Sequence, residues 1–148
     1  MASLSALALA APSMAGDRDH RLQAALRYVH TTCSTSAELI TTMWVRDSAF
    51  NAIYGNCMAA DGRDQYIWFF FRGRFVGTDA RQSSKAIIGI WRGDRTMAFM
   101  YVLYRSSDPN CCPTGGGKVV RFRWTGKRVV ALDRLPPPVG SAGARVGR

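Results

Sequence analysis

Short apolar segments separated by turn residues run from residue 65 to residue 132, and this succession constrains the fold more than any other feature. Residues 66–71 are all aromatic or aliphatic, which is typical of a strand covered on both faces. Arg72 and Gly73 follow as a tight hairpin turn, because glycine accepts the positive φ that two-residue turns require. Further strands are predicted at residues 74–77, 86–91, 96–104, 118–124 and 127–132. The pattern predicts an antiparallel β meander of five or six strands.

The N-terminal part has the spacing of a helix. Apolar residues recur there at intervals of three and four: Leu22, Ala25, Leu26 and Val29. This spacing predicts an amphipathic helix over residues 19–30, and a second short helix is predicted over residues 34–43. The expected fold class is therefore α+β, a disulfide-stapled meander with one or two N-terminal helices on one face.

The four cysteines indicate a disulfide framework, because an even number in an exported chain is typical of one. We disfavour a bond between Cys111 and Cys112, which would close a small ring across one peptide bond. The two remaining pairings both tie these residues to Cys33 and Cys57. A zinc site is disfavoured because adjacent cysteines lack the usual ligand spacing and both histidines lie far away in the sequence.

Export is predicted from the first fifteen residues, which form a short apolar leader ending in small residues around a cleavage point after Ala15. Residues 16–135 are predicted to form a single globular domain, and the Pro/Gly/Arg tail at 136–148 is predicted to be disordered. No apolar run reaches the length that a membrane-spanning helix needs, which is roughly 18 residues. A secreted or cell-envelope location is therefore expected.

The chain carries a formal net charge of +10, concentrated in its C-terminal part, where residues 105–148 hold nine basic and two acidic residues. A cationic surface attracts polyanions. Basic and aromatic residues interleave in the last predicted hairpin, whose candidate ligand-binding residues are Arg121, Arg123, Trp124, Lys127 and Arg128. The alternative interpretation is an ordinary strand with one core face and one solvated basic face.

No constellation of catalytic residues is present in the sequence. The two histidines and ten scattered carboxylates give no paired acid–base spacing, and no nucleophile motif occurs. Gly115-Gly116-Gly117-Lys118 lacks the full phosphate-binding pattern and precedes a strand rather than a helix. We therefore expect a protein that is not an enzyme and that uses no cofactor and no metal.

Several motifs resemble the LppP/LprE family of actinobacterial envelope lipoproteins. The similarity covers about residues 51–137, and its most specific part is the loop Asp-Pro-Asn-Cys-Cys-Pro-Thr-Gly-Gly at 108–116. Tyr-Gly-Asn-Cys at 54–57 and the hairpin at 71–78 also resemble the family, as does the closing hairpin from residue 120 to residue 133. The resemblance implies a location outside the cytoplasmic membrane and implies no reaction. The chain departs from the family in lacking a lipobox cysteine.

Two functional hypotheses follow from the sequence. The first is a non-enzymatic exported domain that binds an envelope component or a protein partner, and on this hypothesis we expect no nucleic-acid ligand. The second is a basic nucleic-acid-binding module that uses the hairpin at residues 118–128 and binds less tightly as salt rises.

Overall fold

The chain folds into two antiparallel β-sheets that pack face to face, with one helix on the outside of the first sheet. The computed structural model describes residues 19–33, 38–57, 65–81 and 84–137. The helix is α1 (His20–Thr32). The strands are β1 (Leu39–Ile40), β2 (Phe50–Asn56), β3 (Gln65–Phe71), β4 (Arg74–Thr78), β5 (Ile87–Arg92), β6 (Thr96–Val102), β7 (Gly117–Trp124) and β8 (Val129–Ala131).

Each sheet is a meander in which neighbouring strands follow one another in the sequence. The first sheet has the order β1-β2-β3-β4 and the second has the order β5-β6-β7-β8, and every pair is antiparallel. Arg72 and Gly73 join β3 to β4 with φ values of 50° and 80°. Positive φ at both central residues is the requirement of a type I′ hairpin turn, so the predicted turn is confirmed.

Strand alternation divides the apolar side chains between two cores. The cluster between the sheets contains side chains of β2, β3, β5, β6 and β7, including Phe50, Phe69, Phe99, Phe122 and Trp124. The second cluster lies between the first sheet and α1, where Ile53, Trp68 and Phe70 meet Ala25 and Val29. Because residues one apart in a strand point to opposite faces, β3 contributes to both clusters, as the fully apolar segment at 66–71 predicted.

Helix α1 begins at an aspartate cap that also fixes the neighbouring loop. The Asp19 carboxylate accepts hydrogen bonds from the amides of Arg21 and Leu22 at 3.0 and 3.1 Å. Its other oxygen accepts a hydrogen bond from the Trp44 indole at 2.7 Å. These contacts lower the pKa of Asp19 against a burial effect that raises it. The predicted first helix is therefore confirmed, with its cap at Asp19.

The predicted second helix is wrong in its described part. Leu39 and Ile40 form an edge strand paired with Gly55 and Tyr54 of β2. Pairing with a strand some fifteen residues later is a non-local contact, which the local helical spacing of residues 34–43 could not reveal. Residues 34–37 of that prediction lie outside the described residues, as do the leader at 1–15 and most of the tail at 136–148.

The predicted number of strands and their arrangement also need correction. The described residues form eight strands in two four-stranded sheets, in place of five or six strands in one meander. The break falls between β4 and β5, where the chain leaves the first sheet and starts the second. The antiparallel meander order within each sheet is as predicted.

The disulfide pairing expected from the sequence is wrong. Cys33 bonds to Cys57 across a Cα–Cα distance of 5.0 Å, and Cys111 bonds to Cys112 across 3.8 Å. Cys33 ends α1 and Cys57 follows β2, so the packing of α1 on the first sheet brings these two residues together. The adjacent cysteines lie in the connection between β6 and β7 of the other sheet.

A buried polar pair links the sheets at one end of the sandwich. The Tyr101 hydroxyl on β6 donates to Asp79, just after β4, at 2.6 Å, and the Ile67 amide donates to the same carboxylate at 2.9 Å. Burial raises the pKa of Asp79 to about 6, although these hydrogen bonds act in the opposite direction. Burial and the neighbouring Asp79 also raise the pKa of Tyr101.

Candidate binding surface

The two sheets differ in what covers their outer faces. Helix α1 covers the outer face of the first sheet, and no described element covers the outer face of the second. On that second face, which we call the open face, cross-strand register aligns Ile88, Met100 and Val119 in one row and Trp91, Ala98 and Arg121 in the next. Its exposed apolar side chains are Ile88 (43% exposed), Ile90 (50%), Trp91 (54%) and Val119 (49%).

Clustering distinguishes these side chains from ordinary surface hydrophobics. Four of the nine large apolar side chains that are exposed in the described residues lie on the open face. Single exposed hydrophobics are normal, whereas contiguous ones mark interaction sites. The open face is therefore the strongest candidate for a binding surface in the described part of the chain.

A β-bulge in β5 sets the position of Trp91. The register shifts between Gly89, which lies opposite Phe99, and Trp91, which lies opposite Ala98, so Ile90 is an extra residue without a partner on β6. A bulge of this kind redirects side chains, and here it leaves both residues exposed at the edge of the sheet. The indole also lies against Gly93 in the next turn, where an added Cβ would be 3.0 Å from the ring. The ring is thereby positioned while half of its surface stays open to solvent.

One ion pair lies on the open face. The Arg121 guanidinium donates to Asp133 through Nε and Nη2, both at 2.9 Å, and the Arg121 amide donates to the same carboxylate at 2.9 Å. These hydrogen bonds, with the positive charge of Arg121, lower the pKa of Asp133 to about 2. The carboxylate thus stays ionised and offsets one of the positive charges on this face.

Further positive charges gather at the end of the second sheet where two turns meet. Arg123 lies beside Thr96 in the row next to Arg121, and the β5–β6 and β7–β8 turns carry Arg95, Lys127 and Arg128. All four side chains are exposed, and within the described ranges none of them forms an ion pair. These four residues form what we call the basic rim of the open face.

The predicted hairpin residues divide between this surface and the core. Arg121 and Arg123 point to the open face, and Lys127 and Arg128 lie in the adjoining turn. Trp124 is only 7% exposed and stacks on Phe71 with a centroid distance of 4.9 Å. Its assignment as a ligand-binding residue is therefore corrected: Trp124 alternates with the buried Val120 and Phe122 and belongs to the core.

Sequence reasoning missed Trp91 and its isoleucine neighbours. The segment 86–91 was predicted as a strand, but its apolar residues do not alternate with polar ones, so no exposed face could be assigned. The bulge that exposes Ile90 together with Trp91 has one local signal, Gly89 within the strand.

The loop with the adjacent cysteines is organised by one carboxylate. Asp108 accepts hydrogen bonds from the amides of Arg105 and Thr114, both at 2.7 Å, and from the Thr114 hydroxyl at 2.6 Å. The contacts with Thr114 are the main reason that the pKa of Asp108 is lowered. Cys111 and Cys112 are both exposed in this loop, which connects β6 to β7.

The described residues contain neither a metal-binding cluster nor a helix that could span a membrane. Within them, no cluster of three or more histidine, cysteine, aspartate or glutamate side chains is placed to hold a metal. The only helix there, α1, is too short and too polar to cross a membrane.

The fold and the open face define a small disulfide-containing β domain with a helix on one sheet and an uncovered surface on the other. The chain belongs to the LppP/LprE lipoprotein family, whose model matches residues 46–127, more than half of its 148 residues. This confirms the predicted family and indicates an envelope-associated protein. Comparisons with curated proteins and with solved structures give no significant match.

Proposed function

We propose that this protein is a non-catalytic, exported binding domain of the cell envelope, and that the open face is its binding surface. The observation that carries the proposal is the asymmetry of the sandwich. Helix α1 buries one outer sheet face, while the other presents Trp91 and three aliphatic neighbours to solvent beside a basic rim. Such a surface suits a ligand that has both apolar and anionic parts.

The second hypothesis, a nucleic-acid-binding hairpin, receives less support. Base stacking needs exposed aromatic rings, and the two aromatic residues of β7, Phe122 and Trp124, are buried between the sheets. The basic residues of the hairpin remain available to an anion of another class.

A binding panel with a surface variant tests the proposal. The panel contains anionic vesicles, a soluble acidic polysaccharide and single-stranded DNA, and the variant combines Trp91→Ala with Arg123→Ala. The control combines Tyr28→Ala with Arg27→Ala, which removes an exposed aromatic side chain and one charge from α1, the helix that packs on the other sheet. We expect the vesicles or the acidic polysaccharide to bind the wild type and the control at least about tenfold more tightly than the surface variant. Binding of the DNA alone would favour the nucleic-acid hypothesis instead.

Two outcomes would contradict the proposal. One is the absence of binding to every panel member. The other is a ligand that binds the surface variant as tightly as the wild type, because binding would then use a different part of the chain.

A further inference from the structure

We propose that the ligand of the open face is an anionic lipid surface, on which the second sheet docks with its outer face toward the headgroups. This inference rests on the proposed function and names the class of its ligand. It joins two observations, the half-exposed Trp91 with its aliphatic neighbours and the basic rim beside them.

The apolar part of the open face has the chemistry of a membrane interface. Tryptophan prefers the headgroup level of a bilayer because its ring is apolar and its N–H is polar. Ile88 and Val119 occupy the ends of one cross-strand row, and Ile90 lies beside Trp91 on the bulge. These side chains share one sheet face, so they can enter the interface of a bilayer together.

The basic rim supplies the complementary charge. Arg123 lies on the open face itself, and Arg95, Lys127 and Arg128 lie in the two turns at its end. Each basic residue near an anionic membrane strengthens binding by about fivefold, and the effect weakens as salt screens it. A soluble polyanion would use the same charges and can stack a sugar or base on Trp91, but it would gain little from the three aliphatic neighbours of Trp91.

A substitution at Asp133 is expected to strengthen binding to an anionic lipid surface, whereas loss of Trp91 or Arg123 weakens it. The Asp133 carboxylate holds Arg121 through two side-chain hydrogen bonds of 2.9 Å, which places one negative charge on the docking surface. Replacing Asp133 with asparagine removes that charge and keeps an oxygen that can accept from the Arg121 amide. If the open face meets anionic headgroups, this substitution strengthens binding by about fivefold.

The experiment is co-sedimentation of the full chain with vesicles of phosphatidylglycerol mixed with phosphatidylcholine, compared with vesicles of phosphatidylcholine alone. We expect the wild type to bind the mixed vesicles and to be released by salt. Trp91→Ala weakens that binding about tenfold, Arg123→Ala weakens it about fivefold, and Asp133→Asn tightens it about fivefold. Arg27→Ala is the charge-matched control on α1 and leaves binding within about twofold. Thermal unfolding verifies that every variant is folded.

Several results would overturn the lipid assignment while leaving the proposed function intact. These are Trp91-dependent binding of the soluble acidic polysaccharide without binding of the mixed vesicles, and equal binding of the two kinds of vesicle. A stable dimer of the free chain that Trp91→Ala dissociates would assign the face to a second copy instead. Vesicle binding that neither Trp91→Ala nor Arg123→Ala weakens would overturn both the lipid assignment and the proposed function.

Discussion

At the scale of single residues, a few side chains carry interactions that strand patterns do not specify. Asp79 joins the sheets through Tyr101, and Asp108 closes the loop around the adjacent cysteines. Asn51 is buried, and its side chain accepts from the Val45 amide at 2.7 Å and donates to the Ser48 carbonyl at 2.9 Å. A polar side chain is stable in such positions because hydrogen bonds replace those it made to water.

Asp79 predicts a pH dependence of the free energy of unfolding. Its folded pKa of about 6 lies above the ordinary value of 3.8, so at pH values between these two the folded state holds a proton that the unfolded state has released. This contribution to stability is fully present below the unfolded pKa and is lost as pH rises through about 6. The maximal loss corresponds to about 3 kcal/mol for a shift of this size.

We expect the wild type to unfold at lower denaturant concentration at about pH 8 than at about pH 5, and Asp79→Asn to flatten that difference. Denaturant titrations at a series of pH values measure it. The assignment of this pH dependence to Asp79 fails if the free energy of unfolding of Asp79→Asn depends on pH as steeply as that of the wild type.

Gly55 predicts a large steric effect of a small substitution. Its φ is 150°, and an added Cβ would lie 2.1 Å from the Glu38 carbonyl oxygen, next to β1. Gly77 has a similar φ of 142° with no atom within 4 Å of the added Cβ, so it is the matched control. Gly77→Ala is expected to cost about 1–2 kcal/mol from backbone strain alone, and Gly55→Ala clearly more. Chemical unfolding of both variants compares the costs, and equal values would refute the predicted clash.

At the scale of elements, local patterns predicted most of the structure and non-local contacts decided the rest. The strands from residue 65 onward, the Arg72-Gly73 turn and α1 all follow from signals within a few residues. The edge strand Leu39–Ile40 was mistaken for helix because its partner lies on β2. Trp124 was assigned to a ligand although the same alternation that buries Val120 and Phe122 also buries Trp124.

The two disulfides are predicted to differ in their contribution to stability. Cys33 and Cys57 are separated by 24 positions, and constraining a loop of that length in the unfolded chain stabilises the fold by about 3 kcal/mol. Cys111 and Cys112 are adjacent, so their bond restricts little of the unfolded chain.

The measurement is the free energy of unfolding of the double variants Cys33→Ser/Cys57→Ser and Cys111→Ser/Cys112→Ser. We expect a loss of about 3 kcal/mol for the first and a loss below about 1 kcal/mol for the second. The reverse order would show that the loop disulfide, and not the one beside α1, holds the domain together.

At the scale of the whole molecule, the sandwich has one protected outer face and one open face. The separation into two sheets was not visible in the sequence, because the connection after β4 has no stronger turn signal than the hairpins on either side of it. The sequence shows that the hairpin at 118–128 is basic, but it does not show that β5 presents exposed apolar side chains on the same face. The open face forms only where the fold places β5, β6 and β7 side by side, so no single segment of the sequence reveals it.

The most direct test of the central claim is the accessibility of Trp91 to a soluble quencher when a ligand is bound. Trp91 is more than half exposed, so acrylamide quenches its fluorescence in the free protein, and subtracting the signal of Trp91→Phe isolates it from the other three tryptophans. We expect saturating anionic vesicles, or whichever ligand the panel identifies, to lower the quenching of Trp91 severalfold. Unchanged quenching of Trp91 with the ligand fully bound would contradict the claim that the open face is the binding surface.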